Sequence, residues 1–469
     1  MERRHFRFLA TLAVFFLISF NYDILHSVKI AVVVSAQSSG AEIIPFLKIW
    51  GILPGAFLLT FLFTFLSKRM GSERVFYAMV SVFLLFFLFF IAVLYPLRES
   101  LELTALSEVI QSHLPEGAKG FVAMVRYWHY TLFYLFGELW GNIVLIMLFW
   151  GFVNETTLFE NAKRYYSIFA MSANLAPVLA GRYCLTFKKV NWDDSFQLFV
   201  STVLLCGLLI MALFYFINRS LEKEAAVETR KDKKEETEHF TLRECFSFVR
   251  RSPYLRYIGI VVLGYYLVYN LTDVLWTAQV DKKFRGDVGA FTAYLNNVSI
   301  AKGILATVMA LFVSGNLIRK LGWYSAAVVT PLIFALTCLF FFPLILIDQE
   351  FLSSVFLQFF SSPFINIVVL IGAMQNCLTR ASKYTVFDAT KEMAFIPLNR
   401  TSQRMGKAVI DGIGSRMGKT GGALILQFLL YYLGNLAATI PYVAAITVLI
   451  IIAWFYAIHR LDREIKKIT

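Results

Sequence analysis

Apolar runs of about 20 residues, the length a helix needs to cross the hydrocarbon core of a bilayer, recur from one end of this chain to the other. They cover about residues 7–36, 42–67, 73–96, 121–153, 164–183, 195–218, 253–279, 289–314, 322–346, 351–377, 405–432 and 437–459. Only 16% of residues are charged, against about 25% in an ordinary soluble domain, and 58% are hydrophobic. The expectation is an all-α polytopic membrane protein with about twelve spanning helices. The basic start "MERRHFRF" runs straight into the first apolar stretch without a small-residue cleavage site, so it reads as the beginning of the first span rather than a leader.

Lys and Arg in short loops set orientation. "SKRMGSER", "ENAKRYY", "IRKLGW" and the stretch from Arg380 to Lys407 fall on the same side as the basic N-terminus and the C-terminal "HRLDREIKKIT". That side is expected to be cytoplasmic. The net charge of +13 is accounted for by such loops and needs no nucleic-acid partner. Residues 219–252 carry dense charge of both signs. They divide the chain into an N-terminal six-helix half, 1–218, and a C-terminal six-helix half, 253–469, joined by a charged linker. A basic, Gly-containing turn follows the second span of each half. The layout is that of the parallel repeats of the major facilitator architecture.

"GIGSRMGKTGG", Gly412 to Gly422, nearly spells a phosphate loop, G-x-x-x-x-G-K-[ST]. The spacing fails, because Gly414 and Gly418 enclose only Ser415, Arg416 and Met417. The context fails as well: such a loop joins a buried strand to a helix, whereas "ALILQFLLYYL" follows here as membrane helix. Five cysteines without paired spacing indicate neither a disulfide scaffold nor a metal site. No cofactor and no catalytic group is expected.

A charge at the bilayer centre costs roughly 2.5–3.5 kcal/mol on insertion scales, so charges within spans mark pathways or ion pairs. Span one carries Tyr22, His26 and Lys29 on one face, with Asp23 beside it. Span two carries Lys48. Span four carries Glu138 and Asn142 one turn apart, and span seven Asn270 and Asp273. Span eleven carries Asp411, Ser415 and Lys419 as a stripe, with Arg416 next to it. Lys and Arg are the side chains that hold phosphate oxygens. Lys48 and Lys419, with Lys29 and Arg416, are candidates to line a positive cavity. Glu138 and Asp273 would pair with the lysines when the cavity is empty, or carry a proton. The competing reading is snorkelling for Lys29, Lys407 and Arg416, or ion pairs that only lock the bundle. His26 is expected to be a hydrogen-bonded helical histidine. Asn296, Asn297 and Lys302 are further cavity candidates, and the phenylalanines of "VFLLFFLFFIAV" read as lipid-facing bulk.

Four segments resemble the ATP/ADP translocase family of intracellular bacteria and plastids: "FNYDILHSVKIAVVVSAQSSGAEIIPFLKIWGILP", "GELWGNIVLIMLFWGFVNETTLFENAKRYYSIFAMSANLAPVLAGR", "RSPYLRYIGIVVLGYYLVYNLTDVLW" and the long segment containing "KYTVFDATKEMAFIPL". The resemblance spans both halves and implies a secondary-active nucleotide carrier. Such a carrier exchanges ATP for ADP or imports nucleoside triphosphates with protons. The family's important charged positions look like Lys48 in "PFLK", Glu138 in "ELWG", Asp273 and Lys419 in "GKTGG". Asp273 stands where exchangers tend to have Glu. Exchangers resemble "LRDTKD" where this chain has "LHSVKI", and they tend to be acidic after "IPL", where this chain has Asn399 and Arg400. Both exchange and proton coupling therefore stay open. The alternatives are a carrier of another anionic phosphorylated solute and a membrane nucleotide hydrolase. The hydrolase would need a complete phosphate loop on a soluble domain.

Overall fold

The structure, a computed structural model, describes residues 2–36, 39–156, 159–225, 242–312, 314–347 and 363–468. The described residues contain helices and no strand, in keeping with a lipid-immersed backbone that must satisfy its own hydrogen bonds. The N-terminal half comprises α1 (Glu2–Ile30, extended by a π-helical turn Ala31–Ala36), α2 (Ile43–Ser67), α3 (Ser72–Leu94), α4 (Trp128–Val153), α5 (Phe159–Thr186) and α6 (Trp192–Ala225). The C-terminal half comprises α7 (Pro253–Lys283), α8 (Val288–Phe312) and α9 (Ser314–Leu346), which bends at Gly322. It continues with α10 (Ile365–Ser382, prolonged through Lys383–Phe387 and Asp388–Phe395). Next come α11 (Arg400–Lys407, Ala408–Gly414 and Ser415–Leu433) and α12 (Leu436–Ile468). Among the described residues nine of these helices are long and apolar enough to cross a membrane; α5, α10 and α11 are not among them.

Of the expected linker, residues 226–241 lie outside the described residues. What is described is helical: α6 runs on to Ala225, and Leu242–Arg251 forms a short amphipathic helix before α7. Residues 351–362 of the expected tenth span also lie outside the described residues.

Two expectations need correction. The stretch Arg380 to Lys407 is not a loop, since α10 stays helical to Phe395. Its charges mimic a loop in hydropathy, but Arg380 and Lys383 are partly buried within the bundle. The phenylalanines of α3 are not simply lipid-facing. Phe83, Phe87 and Phe90, at i, i+4 and i+7, are fully buried, while Leu85, Leu88 and Phe89 are exposed. Phe86 stacks on Phe136 of α4 at 3.7 Å between ring centroids, and Phe83 meets Trp140 edge-on at 5.6 Å. The apolar all-round composition hides a face that packs against protein.

Small residues set the closest helix contacts. A Cβ on Gly418 would lie 2.6 Å from Tyr266 Cβ, and one on Gly422 would lie 2.9 Å from Asn270 Cβ, so these two glycines seat α11 directly on α7. The phosphate-loop look-alike is thus a helix-packing face. Between the halves, α8 lies along α5. Gly303 faces the Asn174 carbonyl and Gly181 faces the Asn296 carbonyl, at 2.7 and 2.9 Å from a hypothetical Cβ.

Candidate functional site

The expected charges come together where the halves meet. On α1, Lys29 is 1% exposed and donates to a Glu138 carboxylate oxygen on α4. Gly137 makes room for this, because a Cβ there would stand 3.3 Å from Lys29 Cδ. Gly141, one turn on, similarly leaves space for the Tyr22 ring, which a Cβ would approach to 2.6 Å. The "GELWG" segment therefore forms a groove that receives the polar face of α1. The Tyr22 and Tyr134 rings lie 5.7 and 5.3 Å from the Lys29 ammonium.

Lys48 is held differently. It sits in a π-helical turn of α2, Leu47–Ile52, and its Nζ donates to Asn270 Oδ1 of α7 at 2.7 Å. Asn270 Nδ2 in turn donates to the Lys419 backbone carbonyl of α11 at 2.6 Å. One buried amide thus joins α2 of the first half to α7 and α11 of the second. Asp273, Glu138, Lys419 and Lys29 all act electrostatically on Lys48. The Lys419 ammonium lies 5.6 Å from the Tyr266 ring and is in electrostatic reach of Glu138, Lys383 and Arg380. The structure therefore brings Lys29, Lys48, Glu138, Asn270, Asp273 and Lys419 into one neighbourhood.

The remaining expected residues stand apart from those bonds. Asn142 is half-buried in the π-helical stretch Gly141–Phe149. Arg416 is exposed beside Met417, which is 52% exposed. Asp411 accepts from Lys391 at 2.8 Å.

Next to these residues lies a cavity of ≈ 480 Å³, within the roughly 300–1,000 Å³ of small-molecule sites. α1 contributes Tyr22, Asp23 and His26, and α4 Trp150. α7 contributes Tyr269, α8 Lys302, and α10 Arg380 and Tyr384. His26 differs from expectation: its Nδ1 is buried without a hydrogen-bond partner among the described residues, and its ring stacks on Tyr22 at 6.0 Å. It faces the cavity instead of a helical acceptor. Arg380 and Tyr384 were missed because their segment reads as a loop. The available signal was period: Asn376, Arg380 and Tyr384 repeat at i, i+4 and i+8. Asn296 serves elsewhere, accepting from Ser27 Oγ at 2.8 Å across the two halves.

At the far end, Glu42 ahead of α2 and Gly117 of the α3–α4 connection meet α12 and α11 and form a seal between the halves. Glu42 Oε1 accepts from the Leu436 backbone N–H at the start of α12, at 2.8 Å, and Gly117 packs directly on the Leu430 carbonyl. The cavity is offset from this seal, toward the ends of α4 and α8 that lead into the α4–α5 and α8–α9 connections.

A two-half helical bundle with a charged cavity between the halves is a carrier's arrangement. The sequence profile of the TLC ATP/ADP transporter family matches residues 2–465. The chain belongs to that family. The ADP,ATP carrier protein 1 of Chlamydia pneumoniae is 36% identical over 462 residues, covering 96% of this chain and 89% of that protein. The plastidic ATP/ADP-transporter of Solanum tuberosum is 36% identical over 465 residues, covering 97% of this chain and 72% of that protein. A crystal structure of a D-xylose-proton symporter aligns with a TM-score of 0.55 at 12% identity, over 96% of both chains. That likeness concerns the fold, which is of the major facilitator type. The protein is a multi-pass membrane transporter, and its family is not one of enzymes.

Proposed function

We propose that the protein carries nucleotides, ATP and ADP foremost, across a bacterial inner membrane by alternating access between its two halves. In this reading α5, α10 and α11 cross the membrane with the nine more apolar helices, giving twelve spans and cytoplasmic termini. The observation that carries the proposal is the set of cations where the halves meet: Lys302 and Arg380 line the cavity, and Lys48 and Lys419 stand in the neighbouring cluster joined through Asn270. Ammonium and guanidinium groups drawn from different helices suit a chain of phosphates. Tyr22, Trp150, Tyr269 and Tyr384 offer flat faces on which a base can stack.

Lys48 and Lys419 bind phosphate in this scheme, with Asn270 positioning both. Asp273 offsets the positive charge when the cavity is empty, and Glu138 holds Lys29. Phosphate that draws Lys48 away from Asn270 loosens the contact between α2 and α7, which links occupancy to rocking of the halves. The cycle runs as nucleotide exchange or as proton-coupled import of nucleoside triphosphates.

Uptake of labelled ATP by cells expressing the protein tests the proposal, with unlabelled nucleotides and sugar phosphates as competitors, with and without a protonophore. Competition by nucleotides alone is expected. Competition by sugar phosphates instead would make the protein a carrier of another phosphorylated solute. Lys419→Ala is expected to abolish uptake while the protein stays in the membrane, and undiminished uptake would remove Lys419 from the site.

A further inference from the structure

Three carboxylates lie within or beside the cavity region, and they are not equivalent. Glu138 is engaged by Lys29 inside the first half. Asp273 lies on α7, where it acts on both Lys48 and Lys302. Asp23 has another setting. It projects from α1 into the cavity wall, and the two cations that act on it, Arg380 and Lys302, come from α10 and α8 of the other half. Both cations line the same cavity. The other titratable groups facing Asp23 are Tyr22 and His26 on its own helix, Cys184 on α5 and Tyr384 on α10.

We propose that Asp23 is a built-in counter-ion that occupies Arg380 and Lys302 between transport events and is displaced by the incoming phosphate chain. The proposal rests on the phosphate-carrying reading of the cavity and adds a regulator to it. A buried cation left without an anion is costly, so an empty cavity with Arg380 and Lys302 facing each other needs a negative partner. An anionic substrate supplies that partner and must compete for it. Replacing the carboxylate by a neutral amide removes the competitor, so substrate then binds better. Because Asp23 and its two cations belong to opposite halves, exchanging one anion for another also changes what holds the halves together across the cavity.

The test uses the purified full chain in proteoliposomes and in detergent, as wild type, Asp23→Asn and Asp23→Glu. Equilibrium binding is measured with two probes, ATP and inorganic tripolyphosphate, at a single pH and ionic strength. Asp23→Asn is expected to bind tripolyphosphate about tenfold tighter than wild type. Asp23→Glu is expected to keep the wild-type affinity, which separates loss of charge from loss of fold. Equal affinity in wild type and Asp23→Asn overturns the counter-ion role. If ATP fails to bind any of the variants while tripolyphosphate binds and shows the Asn effect, the nucleotide reading falls and the counter-ion stands.

Discussion

Lys29 and Lys48 are lysines of the same half, on consecutive helices; Lys29 is buried and Lys48 half-buried. Lys29 meets a carboxylate, Glu138, on a helix of its own half. Lys48 meets a neutral amide, Asn270, on a helix of the other half. The two environments suit two tasks. When the halves rock as rigid bodies, a pair inside one half persists and braces α1 on α4. A contact between the halves must form and break in each cycle. A full ion pair in a low-dielectric setting would resist that, whereas an amide acceptor holds the ammonium without neutralising it and leaves its charge available to phosphate.

The sharpest way to break this contrast is to strand each lysine. Glu138→Ala leaves the Lys29 ammonium buried without its carboxylate, which should cost about 3–5 kcal/mol of stability. The expected outcome is a large fall in thermal unfolding temperature in detergent, with little folded protein recovered. Exchanging the pair, Lys29→Glu with Glu138→Lys, should restore part of that stability. A Glu138→Ala protein as stable as wild type would show that the pair is not a brace and would return Glu138 to the pathway.

How far the sequence showed this division is instructive. Residue type and depth in the apolar runs were enough to pick out Lys29, Lys48, Glu138, Asn270, Asp273 and Lys419, because intramembrane charge is costly enough to be informative one residue at a time. Pairing was not legible. Which cation meets Glu138 depends on Gly137 and Gly141 admitting α1 against α4, a matter of shape between distant segments. Arg380 was lost for another reason: a buried charged helix has the hydropathy of a loop. The all-helical, multi-span architecture, by contrast, was legible from the length of the apolar runs, because bilayer thickness fixes the length of each element.

Stranding nothing but removing the movable cation makes the complementary case. Lys48→Ala should lower the unfolding temperature much less than Glu138→Ala, since it strands no charge and Asn270 keeps its bond to the Lys419 carbonyl. Nucleotide affinity should fall by about 2–5 kcal/mol, the loss seen when one partner of a desolvated charged contact is truncated. Binding and melting measured on the same preparation separate the two effects. A parallel loss of stability and affinity would make Lys48 a second brace and erase the distinction.

Asn270 tests the bridge from its other side. Asn270→Ala removes the acceptor for Lys48 and the donor to α11 together. A hydrogen bond to a charged group contributes about 1.5–3 kcal/mol, so the shift toward the conformation in which the halves separate at α2 and α7 should be of that order. Reactivity of a cysteine placed at Ile49, half-buried beside Lys48 on α2, toward a water-soluble maleimide, in the Asn270 and Asn270→Ala backgrounds, reads that shift with the Lys48 ammonium in place. Faster labelling with alanine is expected. An unchanged rate would mean that the amide only positions Lys419.

The smallest effect belongs to the seal at the far end, which joins the halves without any lysine. The Glu42 carboxylate accepts from the first N–H of α12, where the helix dipole favours negative charge by about 0.3–1 kcal/mol. Glu42→Gln keeps an acceptor of the same shape and removes only the charge. It should therefore weaken the sealed state by no more than that amount, about a two- to fivefold change in the population exposed at this end. Cysteine labelling at Leu436, whose side chain is buried while its N–H makes the contact, would register it, and raised salt should diminish the wild-type advantage if charge is its source. A change far larger than fivefold would place the principal lock of the resting state at Glu42. The amide bridge at Lys48 would then be its consequence rather than its partner.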